Sequence, residues 1–373
     1  MKPYRIAVPD TVLEDLRRRL RHTRWPATLP GTGWRQGADI DYLRGLCDYW
    51  ADGYDWRRHE AWLNTFPQFL APVDGVDMHF IHVRGRGPNP MPLLLLHGWP
   101  SSMLEYLQLV GPLTDPAAHG LPSTDSFDVV IPAIPGFGFG GKPTVPGWGA
   151  NRIAAALNAL MTNVLGYSRY AIQGGDWGTI LGRRIARNHR EQVLALHINL
   201  AFGPPPADLP PNPAGAARAY DLTGYLHLQN TRADTLTVGL ADSPAGLAAW
   251  IIEKFRSWSD CDGDVEKAFS RDTLLTNLMF YWAPNSIASA TRIYFETAAE
   301  HDDIWSPPRV EVPTGIAAFP KEPYLAPRPW LEPLYDIRHW TNLPRGGHFA
   351  ALEAPELLAD DLRTFLRAYR SVA

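Results

Sequence analysis

Five consecutive residues, Gly174-Gly175-Asp176-Trp177-Gly178, constrain the fold of this chain more than any others. Flanking glycines let a backbone turn sharply and let neighbouring elements approach closely. The sequence on either side supplies the strand and the helix that such a turn joins. Tyr170-Ala171-Ile172-Gln173 is short and β-prone, and Ile180, Leu181 and Ile185 share one side of a helical pattern. A carboxylate raised on such a turn suits attack on a substrate carbon, giving an ester that must then be hydrolysed. Alone, the five residues fit equally a glycine-rich turn whose aspartate is solvated or caps the helix.

The wider pattern places this turn in a mostly parallel sheet. Residues 93–96 form a short continuous apolar run, typical of a strand covered on both faces, and residues 127–134, 170–173 and 193–200 look like further buried strands. Helical patterns at residues 151–165 and 179–188 lie between several of them, so strands alternate with helices. Residues 76–83 alternate like a half-buried strand. Ahead of them, Val12, Leu13, Leu16 and Leu20 stripe a helix, and Thr11 with Glu14 matches a capping box. Further helical patterns occupy residues 42–49 and 56–63.

The sheet pattern stops near Leu200. Gly203-Pro204-Pro205-Pro206 and Pro210-Pro211-Asn212-Pro213 read as a hinge. Residues 214–306 are then largely helical, with Leu247, Trp250, Ile251, Phe255 and Trp258 at helical spacing. Strands return at 312–319 and 336–343, and a last helix is expected over 355–369. The organisation is therefore an N-terminal extension leading into the first core strands (1–90), a first core part (91–205), a helical insert (206–308) and a second core part (309–373).

Composition excludes several classes. A net charge of -4 gives no reason to expect a nucleic acid partner, and Cys47 and Cys261 have neither metal nor redox spacing. No apolar run approaches the ~20 residues of a membrane span, and the first residues do not form a signal peptide. A cytoplasmic protein is expected. His301-Asp302-Asp303 is too isolated to argue for a metal site.

Other motifs gather around the turn. His97-Gly98-Trp99-Pro100 directly follows the 93–96 strand, where an α/β-hydrolase carries its oxyanion loop. The donors would be the backbone N–H groups of Trp99 and Trp177. Gly136-Phe137-Gly138-Phe139-Gly140-Gly141 formally fits a dinucleotide fingerprint. Lys142-Pro143 follows it, so no helix N-terminus is available for a pyrophosphate, and a loop bordering a pocket is the better reading. His97, Pro100 and Phe137 are expected to line the substrate site. His348 lies in a loop between a strand and the last helix, completing the chain order nucleophile, acid, histidine. Glu322 is placed for the acid, with Asp336 and Glu332 as competitors.

Taken together, these residues resemble the microsomal-type epoxide hydrolases of the α/β-hydrolase superfamily. The resemblance spans nearly the whole chain, from Trp25-Pro26 through the core motifs to Gly346-Gly347-His348-Phe349-Ala350-Ala351. The insert is similar to that family's lid in Gly224-Tyr225-Leu226-His227 and in Asp242-Ser243-Pro244-Ala245-Gly246. The resemblance implies an α/β-hydrolase core with a helical lid and an N-terminal extension. It implies Asp176 as nucleophile, His348 as base and Glu322, in Phe319-Pro320-Lys321-Glu322, as its acidic partner. Two lid tyrosines would donate hydrogen bonds to the epoxide oxygen. The first is Tyr225; the second is Tyr294, with Tyr281 as a rival. The implied reaction turns an epoxide and water into a vicinal diol with no cofactor or metal, and a homodimer is left open. Mammalian members carry a membrane anchor, whereas this chain begins almost at the extension, so no anchor is expected. A haloalkane dehalogenase is the related alternative. A catalytically silent hydrolase-fold binding protein is the other, though here all three catalytic positions are filled.

Overall fold

The apolar runs assemble into one nine-stranded sheet in the computed structural model, which describes residues 1–205, 213–300, 304–305 and 307–372. Its strands are β1 (Lys2–Tyr4), β2 (Gln68–Val73), β3 (Val76–Val83), β4 (Met91–Leu96), β5 (Phe127–Pro132), β6 (Tyr170–Gly174), β7 (Val193–Ile198), β8 (Val310–Ala318) and β9 (Tyr335–Asn342). Their spatial order is β1-β2-β3-β5-β4-β6-β7-β8-β9. The pairings from β1 to β5 are antiparallel, and every pairing from β5 to β9 is parallel. Strands β5, β6 and β7 are buried at every residue, as expected of central strands whose two faces are both covered.

Register sets up the site. Leu96 at the end of β4 lies beside Gly174 at the end of β6, and Gly174 lies beside Ile198 at the end of β7. Three parallel strands thus stop at one level. There the chain leaves the sheet into the 97–100 loop, the 174–178 turn and the crossing to the lid. Helix Trp177–Asn188 packs back across β4, β6, β7 and β8, which fixes its first turn above the strand ends.

The lid consists of helices Pro213–Asp242, Pro244–Trp258, Arg271–Trp282 and Ile287–Ala299. The first is broken at Arg232, whose φ of -142° and ψ of 40° are not helical. The N-terminal extension fastens this lid. The Tyr54 hydroxyl meets Thr276 Oγ1 at 2.9 Å, Tyr49 donates to Asp272 at 2.8 Å, and Arg58 pairs with the same Asp272. Among the described residues no single helix is long and apolar enough to cross a membrane.

Several expectations shift. The first helix starts at Asp10 after Pro9 and has no side-chain cap, so Thr11 lies inside it and the Thr11–Glu14 capping box is not formed. The helix expected over 151–165 is α-helical only over Ala150–Ala159 and continues as a π turn, Leu160–Val164. Part of the proline-rich hinge, residues 206–212, lies outside the described residues, as do His301, Asp302 and Asp303.

Candidate active site

Asp176 sits between β6 and helix Trp177–Asn188 with φ 49° and ψ -125°, a conformation that L side chains rarely adopt. Close packing leaves no room for side chains beside it. A Cβ on Gly178 would overlap the Leu96 carbonyl, and one on Gly98 would overlap the Asp176 carboxylate itself. Thr179 Oγ1 donates to the Gly174 carbonyl at 3.0 Å and ties the turn to its helix. The Trp99 backbone N–H donates to Asp176 Oδ1 at 2.8 Å, so the loop after β4 directly orients the carboxylate.

His348 approaches from the loop after β9. Its Nε2 lies 3.5 Å from Asp176 Oδ2, long for a hydrogen bond, and has no other partner. Its Nδ1 is 2.7 Å from Glu322 Oε2, and Glu322 Oε1 accepts the Tyr324 N–H at 2.9 Å. Glu322 follows β8 and is nearly enclosed. The competitors lie elsewhere: Asp336 pairs with Arg338 and Glu332 with Arg328, both on the surface. Burial alone would depress the His348 pKa, but the carboxylates of Glu322 and Asp176 outweigh it and hold the imidazole well above its ordinary value. The lid grips the same loop, since the His348 N–H donates to the Trp258 carbonyl at 2.9 Å.

Aromatic side chains surround Asp176. Tyr225 stacks on Trp99 with ring centres 5.2 Å apart, and Tyr294 meets Trp177 edge-on at 4.8 Å. Both tyrosines are buried, and their rings are 6.1 Å apart. The Tyr294 hydroxyl is buried without a hydrogen-bond partner. Tyr281 differs, because its hydroxyl donates to the Ser101 carbonyl at 2.6 Å. Burial above all, with the negative charge of Asp176, raises the pKa of Tyr225 and Tyr294 well above the ordinary phenol value. Each therefore remains a proton donor at neutral pH. Asp176, Trp177 and these two tyrosines line a cavity of about 30 Å³ that Tyr324 and Trp305 also border.

Three expected substrate contacts are placed differently. His97, Pro100 and Phe137 do not line this cavity. His97 is fully enclosed, its Nε2 accepts the Ile134 N–H at 3.3 Å, and burial pushes its pKa down to about 4. The Pro100 carbonyl accepts from Asn277 at 2.8 Å, and Phe137 is wedged between His97 and Tyr281. They shape the loops behind the wall, because a motif identifies a turn without saying which side chains face inward. The glycine-rich 136–141 loop packs against the lid at Ser289. Sequence reasoning missed the part of Tyr324, Phe202, Leu226, Ile304 and Trp305 in lining this cavity, alongside Ile180 and Leu200. Leu226 lies in the Gly224–His227 motif beside Tyr225, Tyr324 follows β8, and Phe202, Ile304 and Trp305 come from the segments joining core and lid. A larger cleft of about 760 Å³, between residues 143–148 and the broken lid helix, contains neither Asp176 nor either tyrosine.

Residues 1–106 match the family model described as epoxide hydrolase N terminus, and residues 91–269 match that of the alpha/beta hydrolase fold. A Stigmatella aurantiaca protein, to which epoxide hydrolase activity is provisionally ascribed, is 44% identical over 99% of this chain and 85% of its own. Epoxide hydrolase 1 of Sus scrofa is 35% identical over 98% of this chain and 88% of its own. The crystal structure of juvenile hormone epoxide hydrolase from the silkworm Bombyx mori superposes with a TM-score of 0.88 at 31% identity, covering 100% of this chain and 94% of that one. The Aspergillus niger epoxide hydrolase gives 0.87 at 30% identity, covering 99% and 96%.

Proposed function

Because this chain belongs to the epoxide hydrolase family with the α/β-hydrolase fold, we propose that it converts an epoxide and water into a vicinal diol through a covalent ester on Asp176. The observation that carries this reading is one cavity lined both by the Asp176 carboxylate and by two protonated tyrosines. An epoxide held between them has its ring carbon toward Asp176 and its oxygen toward Tyr225 and Tyr294. Carboxylate attack breaks the C–O bond from the far side, and its electron pair goes to the departing oxygen. The phenols donate to that oxygen as negative charge develops on it. Tyr294 is ready for this role because its hydroxyl has no competing partner.

Ester formation also changes the histidine. The carboxylates of Asp176 and Glu322 together favour the imidazolium. Esterification removes the charge on Asp176, so the His348 pKa falls and its proton is released. The neutral imidazole can then take a proton from water attacking the ester carbonyl. Glu322 orients the ring through Nδ1, and the Trp99 N–H now donates to the carbonyl oxygen, joined by that of Trp177.

A single turnover in ¹⁸O-water tests the ester. Label is expected in the Asp176 carboxyl group and not in the first diol released; direct labelling of that diol excludes the ester route. In His348→Gln the expected product is an alkylated enzyme with the added mass of the epoxide. If activity is lost and no adduct forms, His348 acts elsewhere in the cycle.

A further inference from the structure

Lys254 lies beside the proposed ring-opening acid without being part of the reaction described above. It is on lid helix Pro244–Trp258, four residues after Trp250 and four before Trp258, so helical spacing brings all three onto one face. Its Nζ is 6.0 Å from the Trp250 ring centre and 5.8 Å from that of Trp258. Tyr225, from the preceding helix, completes an aromatic cage with its ring centre 5.0 Å from the same Nζ. The two helices are also linked by a 3.0 Å hydrogen bond from the Trp250 indole to buried Gln229, one turn beyond Tyr225. The Lys254 side chain is only 12% exposed, and the adjacent Glu253 is its ion-pair partner. A cation over aromatic faces is attracted by the ring quadrupole, and more strongly once it has lost its water.

We propose that Lys254 is a positioning residue for ring opening, acting through Tyr225: it holds the phenol against Trp99 and favours the negative charge that builds on it as its proton moves to the epoxide oxygen. The inference rests on the function proposed above. In the balanced step the Asp176 carboxylate forms the new C–O bond. The ring C–O bond breaks, its electrons pass to oxygen, and the Tyr225 proton neutralises that oxygen. Lys254 keeps all its protons and touches no reacting atom. What it supplies is a positive charge beside the group that becomes partly anionic. Ester hydrolysis places its charge at Asp176 and His348, so Lys254 should matter to the first step and not to the second. The last turn of the same helix also meets the base, where Trp258 lies edge-on to His348 at 4.9 Å. A variant that merely disturbed the helix would therefore slow both steps.

Stopped-flow tryptophan fluorescence with styrene oxide separates the two steps, and the accumulated adduct is confirmed by mass. Lys254→Met keeps the stem and removes the charge; Lys254→Arg keeps the charge; Lys254→Gln is a second neutral variant should the first fail to fold. We expect alkylation to slow by about tenfold in the neutral variants, as for a loss of about one pK unit of charge stabilisation. It should return to within about threefold of the parent rate in Lys254→Arg, with ester hydrolysis unchanged throughout. Parent-rate alkylation in a folded neutral variant overturns the proposal, as does equal slowing of both steps or an arginine variant as slow as the neutral ones. Absence of any Asp176 adduct in the parent enzyme would instead count against the ester mechanism itself.

Discussion

Tyr281 and Tyr294 lie on neighbouring lid helices and are both enclosed, yet one hydrogen bond separates their uses. Tyr281 is committed to the Ser101 carbonyl, whereas the Tyr294 hydroxyl has no partner. A buried hydroxyl without a partner costs ~1–3 kcal/mol, while a satisfied one contributes ~1 kcal/mol. Opposite outcomes follow for the same substitution. Tyr281→Phe should lower stability by ~1 kcal/mol in urea unfolding and leave alkylation near the parent rate. Tyr294→Phe should be at least as stable as the parent while alkylating ~10²-fold more slowly, the scale of losing one positioned donor. Full activity in Tyr294→Phe would move the donor role to Tyr281. Sequence alone could not separate these two, because a tyrosine's usefulness depends on whether its hydroxyl is already taken. Asp176 was legible because its turn type needs particular residues at particular positions. Tyr324 was not, because it joins the site through one backbone N–H and the place where its ring packs.

Among the elements, the central strands were the easiest to read. Buried at every residue, β5, β6 and β7 are mostly apolar, with one polar side chain each, Asp128, Gln173 and His197. The edge was harder: β1 has three residues and β2 contains Pro72, so neither shows a period-2 pattern. The loop after β4 joins the two levels, since its geometry is useful only where it meets the elbow after β6. Gly98 marks that contact, because a Cβ there would occupy the position of the Asp176 carboxylate. Gly98→Ala should therefore abolish adduct formation with a reactive epoxide while lowering the thermal midpoint only modestly. If a folded Gly98→Ala enzyme alkylates at the parent rate, the carboxylate and the loop are not in the contact described.

For the whole molecule, two buried carboxyl groups near the histidine contribute to the pH dependence of stability. Burial pushes Glu105 up to about 7, and burial likewise pushes Glu353 up to about 7. Both values are raised above the ordinary value of 4.5, so the folded chain binds these protons more tightly than the unfolded chain does. Their contribution is thus most favourable below the ordinary carboxyl value and declines as pH rises toward 7. Glu105→Gln removes one of the two groups. Between about pH 5 and pH 7 its unfolding free energy should fall less with rising pH, or rise more, than the parent's, by an amount on the order of 2 kcal/mol. Equal slopes for the two proteins would mean that Glu105 titrates normally in the folded state.

The tightness of the cavity beside Asp176 has a consequence for every affinity measured on this enzyme. Its volume of about 30 Å³ suits roughly two water molecules and is too small for a substituted epoxide. Binding a substituted epoxide therefore requires a wider form in which the lining has given way, and Trp305 and Phe202, in edge-to-face contact at 4.6 Å, are among the residues that border the cavity. The apparent dissociation constant is then the intrinsic one divided by the fraction of molecules in that wider form. Two epoxides of equal chemical reactivity can differ in KM because they require different amounts of displacement. Selectivity in this enzyme is to that extent a property of populations as well as of contacts.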